Sequence, residues 1–269
     1  MQVTNQERTV LITGASRGIG AGIAKAFAKE GYRFIGINYF HDEDAAKAVA
    51  QEAETAGARA ALYQANVCES AECEQMVNSF IQDAGKIDVL INNAGGAQTI
   101  PAGGFEDMPV EYWDRQIRMN LSCAAYTSRI AVKDMIEKNI PGRIINISSV
   151  HSQVTWVKRK ALPYCAGKAG MNMFTKTLGV EVAKHGININ CIAPGFITTG
   201  LTTERYSEAQ INAFKRKIPA GVLGMPEDIA PTALLLADVE KSRFIVGQTF
   251  VIDGGQSIDG AIDSMMYDY

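Results

Sequence analysis

The sequence lacks the paired cysteines that mark a metal site or a disulfide framework. Its five cysteines are odd in number, form no Cys-x-x-Cys pair and have no cluster of histidines beside them. A zinc site is therefore not expected, and we predict no metal cofactor. Free thiols are the usual state of cysteine in a reducing cytoplasm, which is where we expect this protein. The five are Cys68, Cys73, Cys123, Cys165 and Cys191.

Strong charge of one sign and long hydrophobic runs are also missing. The 26 basic and 29 acidic residues leave a net charge of −3, which argues against a dedicated nucleic-acid binder. No stretch approaches the roughly 18 apolar residues of a membrane span, and the polar Met1–Arg8 does not fit a signal peptide. We therefore expect neither a nucleic acid nor a membrane as partner. The apolar fraction of 47% excludes a wholly disordered chain.

Short apolar runs instead alternate with longer helical patterns along the whole chain. This alternation predicts βαβ units, and so one doubly wound α/β domain over residues 1–269, with a parallel sheet flanked by helices. The irregular stretch 194–225 is predicted to be a functional loop over a substrate. The predicted strands are Thr9–Thr13, Phe34–Asn38, Ala60–Gln64, Ile87–Ile91, Gly142–Ser148, Ile187–Ile192 and Thr249–Ile252. The predicted helices are Ile19–Lys29, Ala45–Ala56, Ser70–Ala84, a long one around Val110–Glu137, Pro163–Lys184, Glu208–Lys217 and Pro226–Ala237.

A glycine-rich loop lies between the first predicted strand and the first helix. Glycine lets the backbone approach a ligand closely, and the free N–H groups of a helix N-terminus attract an anion. The strand before and the helix after favour a dinucleotide site over an ordinary turn. The residues expected to bind it are Gly14, Ser16, Arg17, Gly18, Ile19 and Gly20.

The spacing of this loop, with further motifs in order, resembles the short-chain dehydrogenase/reductase family. The resemblance implies a Rossmann-type domain that uses NADP or NAD to interconvert a secondary alcohol and a ketone by hydride transfer. It also implies a homotetramer or homodimer, formed through the two longest helices and the C-terminal region. The motifs are Thr13-Gly14-x-x-x-Gly18-x-Gly20, Asn92-Asn93-Ala94-Gly95, Met119-Asn120, Ser148-Ser149, Tyr164-x-x-x-Lys168, Pro194-Gly195, Pro226-Glu227-Asp228-Ile229-Ala230 and Asp253-Gly254-Gly255.

Tyr164 and Lys168 are the predicted reacting pair. They are four residues apart in a helical pattern and so share one face, where the ammonium is expected to lower the phenol pKa from about 10. By the resemblance, Tyr164 transfers the proton, and Ser149 rather than Ser148 holds the substrate oxygen. Asn120 matches the family asparagine that supports a water-linked proton relay to the lysine. The alternative is a packing pair on a helix with a turn serine and a buried asparagine.

The resemblance also extends the expected cofactor contacts beyond the glycine loop. Residues 93–95 are expected along the nicotinamide ribose, and those after the sixth strand along the carboxamide. Asn66-Val67 stands where the family commonly has Asp-Val near the adenine, so this contact departs from the pattern. These expected contacts are Tyr39, Asn66, Val67, Asn93, Ala94, Gly95, Tyr164, Lys168, Pro194, Gly195, Ile197 and Thr199.

The choice of cofactor depends on the end of the second strand. An acid about 20 residues after the glycines is typical of NAD binding, but this position is Tyr39-Phe40. Arg17 in the loop can instead reach a 2′-phosphate, which favours NADP over NAD. Against this, the basic residue that often follows the strand is Phe40 here, with only His41 beside it.

The substrate class stays open at the level of the sequence. Residues 142–151 and 186–195 resemble bacterial sugar dehydrogenases of the glucose dehydrogenase type, which favours a small polar substrate, whether a sugar, a polyol or an oxo compound. The glycine loop and Pro226–Ala230 resemble 3-oxoacyl-carrier-protein reductases equally well, although Val180 replaces the arginine that often docks the carrier. A non-catalytic NAD(P)-sensing regulator is a further alternative, against which the intact catalytic set argues.

A longer connection precedes Tyr164 than is usual in the family. Fourteen residues separate Ser149 from Tyr164, and they include Trp156 and the basic run Lys158–Lys160. This segment is expected either to give the substrate an aromatic wall and a positive lip or to be a solvated loop.

Overall fold

Seven parallel strands form the centre of the computed structural model, which describes residues 4–97, 103–154, 161–200 and 206–258. The strands are β1 (Thr9–Ile12), β2 (Phe34–Tyr39), β3 (Arg59–Gln64), β4 (Val89–Asn92), β5 (Arg143–Ile147), β6 (Asn188–Pro194) and β7 (Thr249–Ile252). The helices are α1 (Gly18–Lys29), α2 (Glu43–Thr55), α3 (Ser70–Ala84), α4 (Val110–Ile117), α5 (Cys123–Glu137), α6 (Leu162–Val182), α7 (Glu208–Lys215) and α8 (Pro226–Ala237). Short 3-10 turns lie at Asn5–Glu7, Val150–Ser152 and Ala183–His185.

The sheet order is β3-β2-β1-β4-β5-β6-β7, and every neighbouring pair is parallel. Leu11 of β1 aligns with Gly36 of β2 on one side and with Leu90 of β4 on the other. The chain reverses its direction of travel across the sheet between β1 and β4, which is where doubly wound sheets bind ligands, beyond the carboxyl ends of the strands. The predicted α/β Rossmann-type fold is confirmed.

Alternating strand residues divide the core into two layers. Val10 and Ile12 of β1 pack with helices α1, α2 and α8 on one face of the sheet. Leu11, between them, packs with α3, α5 and α6 on the other. Because both faces are covered, the strands are apolar throughout, and this is the pattern from which the sequence predicted them.

The predicted elements are all present, with small differences at their ends and one break. Residues 118–122 form a π turn, which divides the long predicted helix into α4 and α5. The Pro163–Lys184 helix begins one residue earlier and ends at Val182 in a 3-10 turn. A π turn inserts one residue into the helical ladder, and hydrophobic periodicity does not reveal it.

Some sequence expectations fall on residues outside the described ranges. These include Trp156 and Lys158–Lys160, so the aromatic wall and the positive lip stay predictions. Within the described ranges, no helix is both long and apolar enough to cross a membrane. Across the same residues, no group of three or more His, Cys, Asp or Glu side chains is arranged to hold a metal ion.

Candidate active site

A cleft of about 420 Å³ opens at the carboxyl ends of the strands, between the glycine loop after β1 and the loop after β4. Fourteen of the predicted site residues line it: Gly14, Ser16, Arg17, Gly18, Ile19, Tyr39, Asn66, Val67, Asn93, Ala94, Gly95, Tyr164, Lys168 and Thr199. It is also lined by Asn38, Phe40, His41, Asp42, Ala65, Cys68, Gly96, Met119, Ile147 and Ser148, which the sequence reasoning did not assign to the site.

The glycine loop takes a shape that depends on two left-handed residues. Gly14 and Gly18 have φ angles of 60° and 59°. A Cβ on Gly14 would stand 2.9 Å from Cα of Ala94, so only glycine lets the two loops approach so closely. Helix α1 begins at Gly18, and no side chain caps its first amides. The positive end of the helix therefore faces the cleft, as an anion site requires.

The side chains that directly follow β1 and β4 bind the glycine loop to the loop after β4. The Thr13 hydroxyl accepts hydrogen bonds from the backbone N–H groups of Asn93 and Ala94, each at 3.0 Å. In return, Nδ2 of Asn93 donates to the carbonyl oxygens of Thr13 (2.9 Å) and Gly14 (3.0 Å). The Asn93 side chain thus holds the loop in shape, in addition to lining the cleft.

Asn38 is a buried organiser of the same loop that sequence reasoning missed. Its Oδ1 accepts from the backbone N–H of Gly14 at 3.0 Å. Its Nδ2 donates to the carbonyl oxygens of Tyr63 (3.1 Å) and Ala65 (3.2 Å) at the end of β3. The available signal was a single amide in the otherwise apolar β2 sequence FIGINY, because a buried amide must find partners.

Asn38→Leu should therefore lower the free energy of unfolding by about 2–4 kcal/mol, because it leaves two or more buried backbone groups unpaired at roughly 1–3 kcal/mol each. Urea denaturation of the two proteins measures the difference. Asn78→Leu on the exposed side of α3 is the control and should change stability by less than about 0.5 kcal/mol. A loss at Asn38 no larger than the control would show that these hydrogen bonds contribute little.

Tyr164 and Lys168 line the cleft, and Ser149 lies beside Tyr164. Tyr164 is partly buried in the first turns of α6, and its phenol is near enough to the Ser149 hydroxyl for that hydroxyl to lower the tyrosine pKa. Ser149 follows β5, and its hydroxyl also accepts from the backbone N–H of His151 at 3.2 Å. Lys168 is buried one helical turn beyond Tyr164, with Nζ 5.9 Å from the tyrosine ring centroid. Ser148 instead donates to the carbonyl oxygen of Lys168 at 3.1 Å, so it faces α6 rather than the tyrosine.

Burial dominates the titration of this pair. Desolvation raises the pKa of Tyr164 above its ordinary value of 10.0, while the nearby Ser149 hydroxyl lowers it by less. Desolvation likewise lowers the pKa of Lys168, against the opposing effect of Cys123 and Cys191. The sequence expectation that Lys168 lowers the tyrosine pKa is not met in this geometry. The Lys168 ammonium donates to the carbonyl oxygen of Ile147 at 2.7 Å instead of to the phenol.

Asn120 lies at the centre of the π turn and is fully buried. Its Oδ1 accepts from the backbone N–H of Gly96 at 2.9 Å, and its Nδ2 donates to the Gly96 carbonyl at 3.2 Å. A Cβ on Gly95 would stand 3.0 Å from Oδ1 of Asn120 and 3.1 Å from Nζ of Lys168. The asparagine and the lysine are therefore neighbours across a glycine that leaves room for both.

The far end of the cleft is bordered by Arg17 and by the residues after β2. Arg17 is exposed, and none of the carboxylates in the described ranges lies within ion-pair distance of it. The rings of Phe40 and His41 lie against each other, 3.9 Å between centroids. Asp42 caps α2 by accepting from the backbone N–H of Ala45 at 3.0 Å. This carboxylate is thus already engaged by the helix that it begins.

Four predicted contacts do not line the cleft. Gly20 packs beneath the loop, where a Cβ would stand 2.5 Å from Nδ2 of Asn93. Pro194 ends β6, and Gly195 packs against Asp253. Ile197 is buried and pairs with Gly224 in an isolated parallel bridge. These four residues therefore stand apart from the lining of the cleft, whereas Thr199 contacts the loop at Gly18.

The residues present fit a dinucleotide in a cleft of this shape. The uncapped α1 amides and the close glycines suit a pyrophosphate, and a tyrosine beside a serine and a buried lysine suits proton transfer to an oxygen.

Known proteins that are similar to this chain match it over almost its whole length. A family model described as enoyl-(acyl carrier protein) reductase matches residues 14–257. A 3-oxoacyl-[acyl-carrier-protein] reductase of Synechocystis is 38% identical over 248 residues, which cover 92% of this chain and 96% of that protein. A 3β-hydroxysteroid dehydrogenase of Eggerthella lenta is 35% identical over 93% of this chain and 94% of its own length.

Two further matches are another relative and a crystal structure. Glucose 1-dehydrogenase 2 of Bacillus subtilis is 32% identical and covers 93% of this chain and 95% of its own length. A crystal structure of a short-chain type dehydrogenase/reductase from Mycobacterium marinum superposes with a TM-score of 0.84 at 31% identity, covering 93% of this chain and 95% of that one.

Proposed function

Because the chain belongs to the short-chain dehydrogenase/reductase family, an oxidoreductase family that acts on CH–OH groups with NAD(P), we propose that it is an NADP-dependent enzyme for a small polar alcohol or ketone. The observation that carries this proposal is the position of Tyr164 in the cleft, beside Ser149 and with Nζ of the buried Lys168 5.9 Å from its ring centroid. The bound cofactor supplies or accepts the hydride.

The protein's own part is to hold the carbonyl oxygen and to move one proton. In reduction, Tyr164 donates its phenolic proton to the substrate oxygen, while Ser149 donates a hydrogen bond to the same oxygen. Burial raises the pKa of Tyr164, so the phenol carries its proton at neutral pH, which suits the reductive direction. Lys168 provides the adjacent positive charge, and Asn120 continues the polar path beyond it, as we infer from their position on either side of Gly95.

The cleft beside β2 supports NADP as the preferred cofactor. The residue that ends β2 is Tyr39 rather than an acid, and the first carboxylate after it, Asp42, accepts at Oδ1 from the backbone N–H of Ala45 in capping α2. Arg17 lines the same part of the cleft with its guanidinium exposed. A guanidinium binds phosphate oxygens with charge-assisted hydrogen bonds, and a 2′-phosphate distinguishes NADP from NAD.

Arg17→Ala should therefore weaken NADPH binding by about 10- to 100-fold and NADH binding by less than about twofold, because one charge-assisted contact is lost only with the phosphorylated cofactor. Fluorescence titration of the reduced cofactors gives both Kd values without any knowledge of the substrate.

Asn93→Ala is the matched control for Arg17→Ala, since it loosens the loop without touching the charge. It should weaken both cofactors alike, by about tenfold. If Arg17→Ala also weakens both by one common factor, then Arg17 does not select NADP.

The relatives of this chain cover several substrate classes. The relatives named above act, by their names, on sugars, steroids and acyl-carrier substrates at similar identity. The acyl-carrier reductase is our second candidate, since that relative is 38% identical, but an exposed Val180 stands where carrier docking favours arginine. A panel of aldoses, polyols, short ketones and acetoacetyl-carrier protein, run with NADPH and with NADH, tests both. Turnover confined to the acylated carrier would overturn the small polar substrate.

The contacts of the segment after β6 favour its role as a substrate lid. The backbone N–H of Thr198 donates to the Gly224 carbonyl at 2.7 Å, which closes the base of the segment. Within it, the rings of Phe196 and Phe214 stack, and the ring of Tyr206 packs against both.

Exposed apolar residues on α6, Val180 among them, favour the tetramer that the family resemblance implies.

A further inference from the structure

Gln116 is a fully buried amide next to the catalytic centre, and the mechanism above gives it no role. It lies in α4, whose other buried residue is Tyr112, one helical turn away on the same face. It also precedes Asn120 by four residues, so the two side chains are neighbours across the start of the π turn.

The hydrogen bonds around Asn120 fix the orientation of both amides. Oδ1 of Asn120 must face the backbone N–H of Gly96, because that group can only donate. Nδ2 of Asn120 then donates to the backbone carbonyl oxygen of Gln116 at 3.0 Å. It also faces the side-chain oxygen Oε1 of Gln116 at 3.4 Å. A flipped Gln116 would set two NH₂ groups against each other, so the orientation with Oε1 toward Asn120 is the favoured one.

This orientation leaves Nε2 of Gln116 without a hydrogen-bond partner among the described residues. An unpaired buried donor is unfavourable, and a methionine of similar size would avoid it. A glutamine at this position therefore lowers stability, so its presence is better explained by what its oxygen does for Asn120 than by core packing.

The π turn also touches the helix that carries the reacting pair. A Cβ on Gly167, the residue before Lys168, would stand 3.0 Å from Cβ of Asn120. A rotation of the Asn120 amide would break its bonds to Gly96, and it would change the group that lies across Gly95 from Nζ of Lys168.

We propose that Gln116 is a positioning residue that holds the Asn120 amide in the orientation needed for proton transfer. The expected effect on kcat rests on the proposed function. The expected effect on the exchange of the Gly96 amide rests on the hydrogen-bond geometry alone.

The test is Gln116→Met, which keeps the volume and removes both polar atoms of the amide. The expected result is a fall in kcat of about tenfold with the KM for NADPH within about twofold of the wild type. The melting temperature should stay the same or rise, because the unpaired donor is gone. Hydrogen–deuterium exchange of the Gly96 amide, followed in peptides spanning residues 93–97, should be about threefold faster, since the Asn120 amide loses its contact with Oε1 and keeps only its bonds to the backbone of Gly96 and Gln116.

Tyr112→Phe is the matched control, because it removes one polar group from the same face of α4. It should leave kcat, KM and the exchange of Gly96 unchanged. Unchanged kcat and exchange in Gln116→Met would overturn the proposal, and so would a joint fall of kcat, cofactor affinity and melting temperature. If the wild-type protein turns over no substrate of the panel, the proposed function fails, while the exchange of Gly96 still decides the role of Gln116.

Discussion

Tyr164→Phe should lower kcat by about 10³-fold and leave the Kd for NADPH within about twofold, because it removes only the proton that the mechanism transfers. The substitution deletes one oxygen from a partly buried side chain, so the ring keeps its packing and its position over the neighbouring Lys168 ammonium. Steady-state kinetics on the best substrate of the panel, together with NADPH fluorescence titration, separates the two effects.

The pH dependence of wild-type turnover follows from the direction of the tyrosine pKa shift. Reduction needs the protonated phenol, and burial raises its pKa above 10.0, so the reductive rate should stay level from neutral pH to about pH 9. Oxidation needs the phenolate, so its rate should rise with pH over the same range. The Tyr164→Phe protein should lose this rise.

Tyr126→Phe on α5 is the control for the Tyr164 substitution and should retain wild-type kcat. More than about one tenth of the wild-type rate in Tyr164→Phe would contradict the assignment, since general acid catalysis is worth at least about 10²-fold. A large loss of NADPH affinity in that variant would instead indicate that the hydroxyl serves mainly in binding.

The fold could be predicted from the sequence because its signals are local. Strands covered on both faces are continuous apolar runs, and the helices between them show the longer period, so their alternation implies the parallel sheet. The glycine loop could be placed for the same reason, since Gly14 and Gly18 stand between a strand and a helix. Differences of one or two residues at element ends reflect caps and fraying rather than a different topology.

The details of the site depend on contacts between distant parts of the chain. Asn38 gains its role because β1 and β3 flank β2, which a single strand does not reveal. The π turn around Asn120 and the amide of Gln116 depend on how α4 meets the loop after β4. The tyrosine pKa was expected to fall on account of Lys168, yet desolvation raises it, because burial is a property of the folded surroundings.

Lys168→Met should lower kcat by about 10²-fold or more, since it removes the charge beside the proton donor. It should also weaken NADPH binding by about tenfold, because the ammonium lines the cleft and its bond to the Ile147 carbonyl is lost. Kinetics and cofactor titration, performed as for Tyr164→Phe, measure both. The two variants are informative together because Tyr164→Phe should leave the affinity for NADPH unchanged, whereas Lys168→Met should lower it. Equal cofactor affinity in the two variants would show that Lys168 acts on the tyrosine alone.

The difference in free energy of unfolding between the wild type and Lys168→Met should depend on pH. Burial lowers the pKa of Lys168 below its ordinary 10.5, so between the lowered value and 10.5 the unfolded chain binds more protons than the folded one. Wild-type stability therefore gains with rising pH in that window, and the methionine variant lacks this gain. Urea denaturation at pH 7 and at pH 10 should show the wild type improving relative to the variant. Lys176→Met, on the same helix, should show no such change. A wild-type advantage that instead shrinks toward pH 10 would mean that the folded protein favours the ammonium, and that the Ile147 carbonyl outweighs the effect of burial.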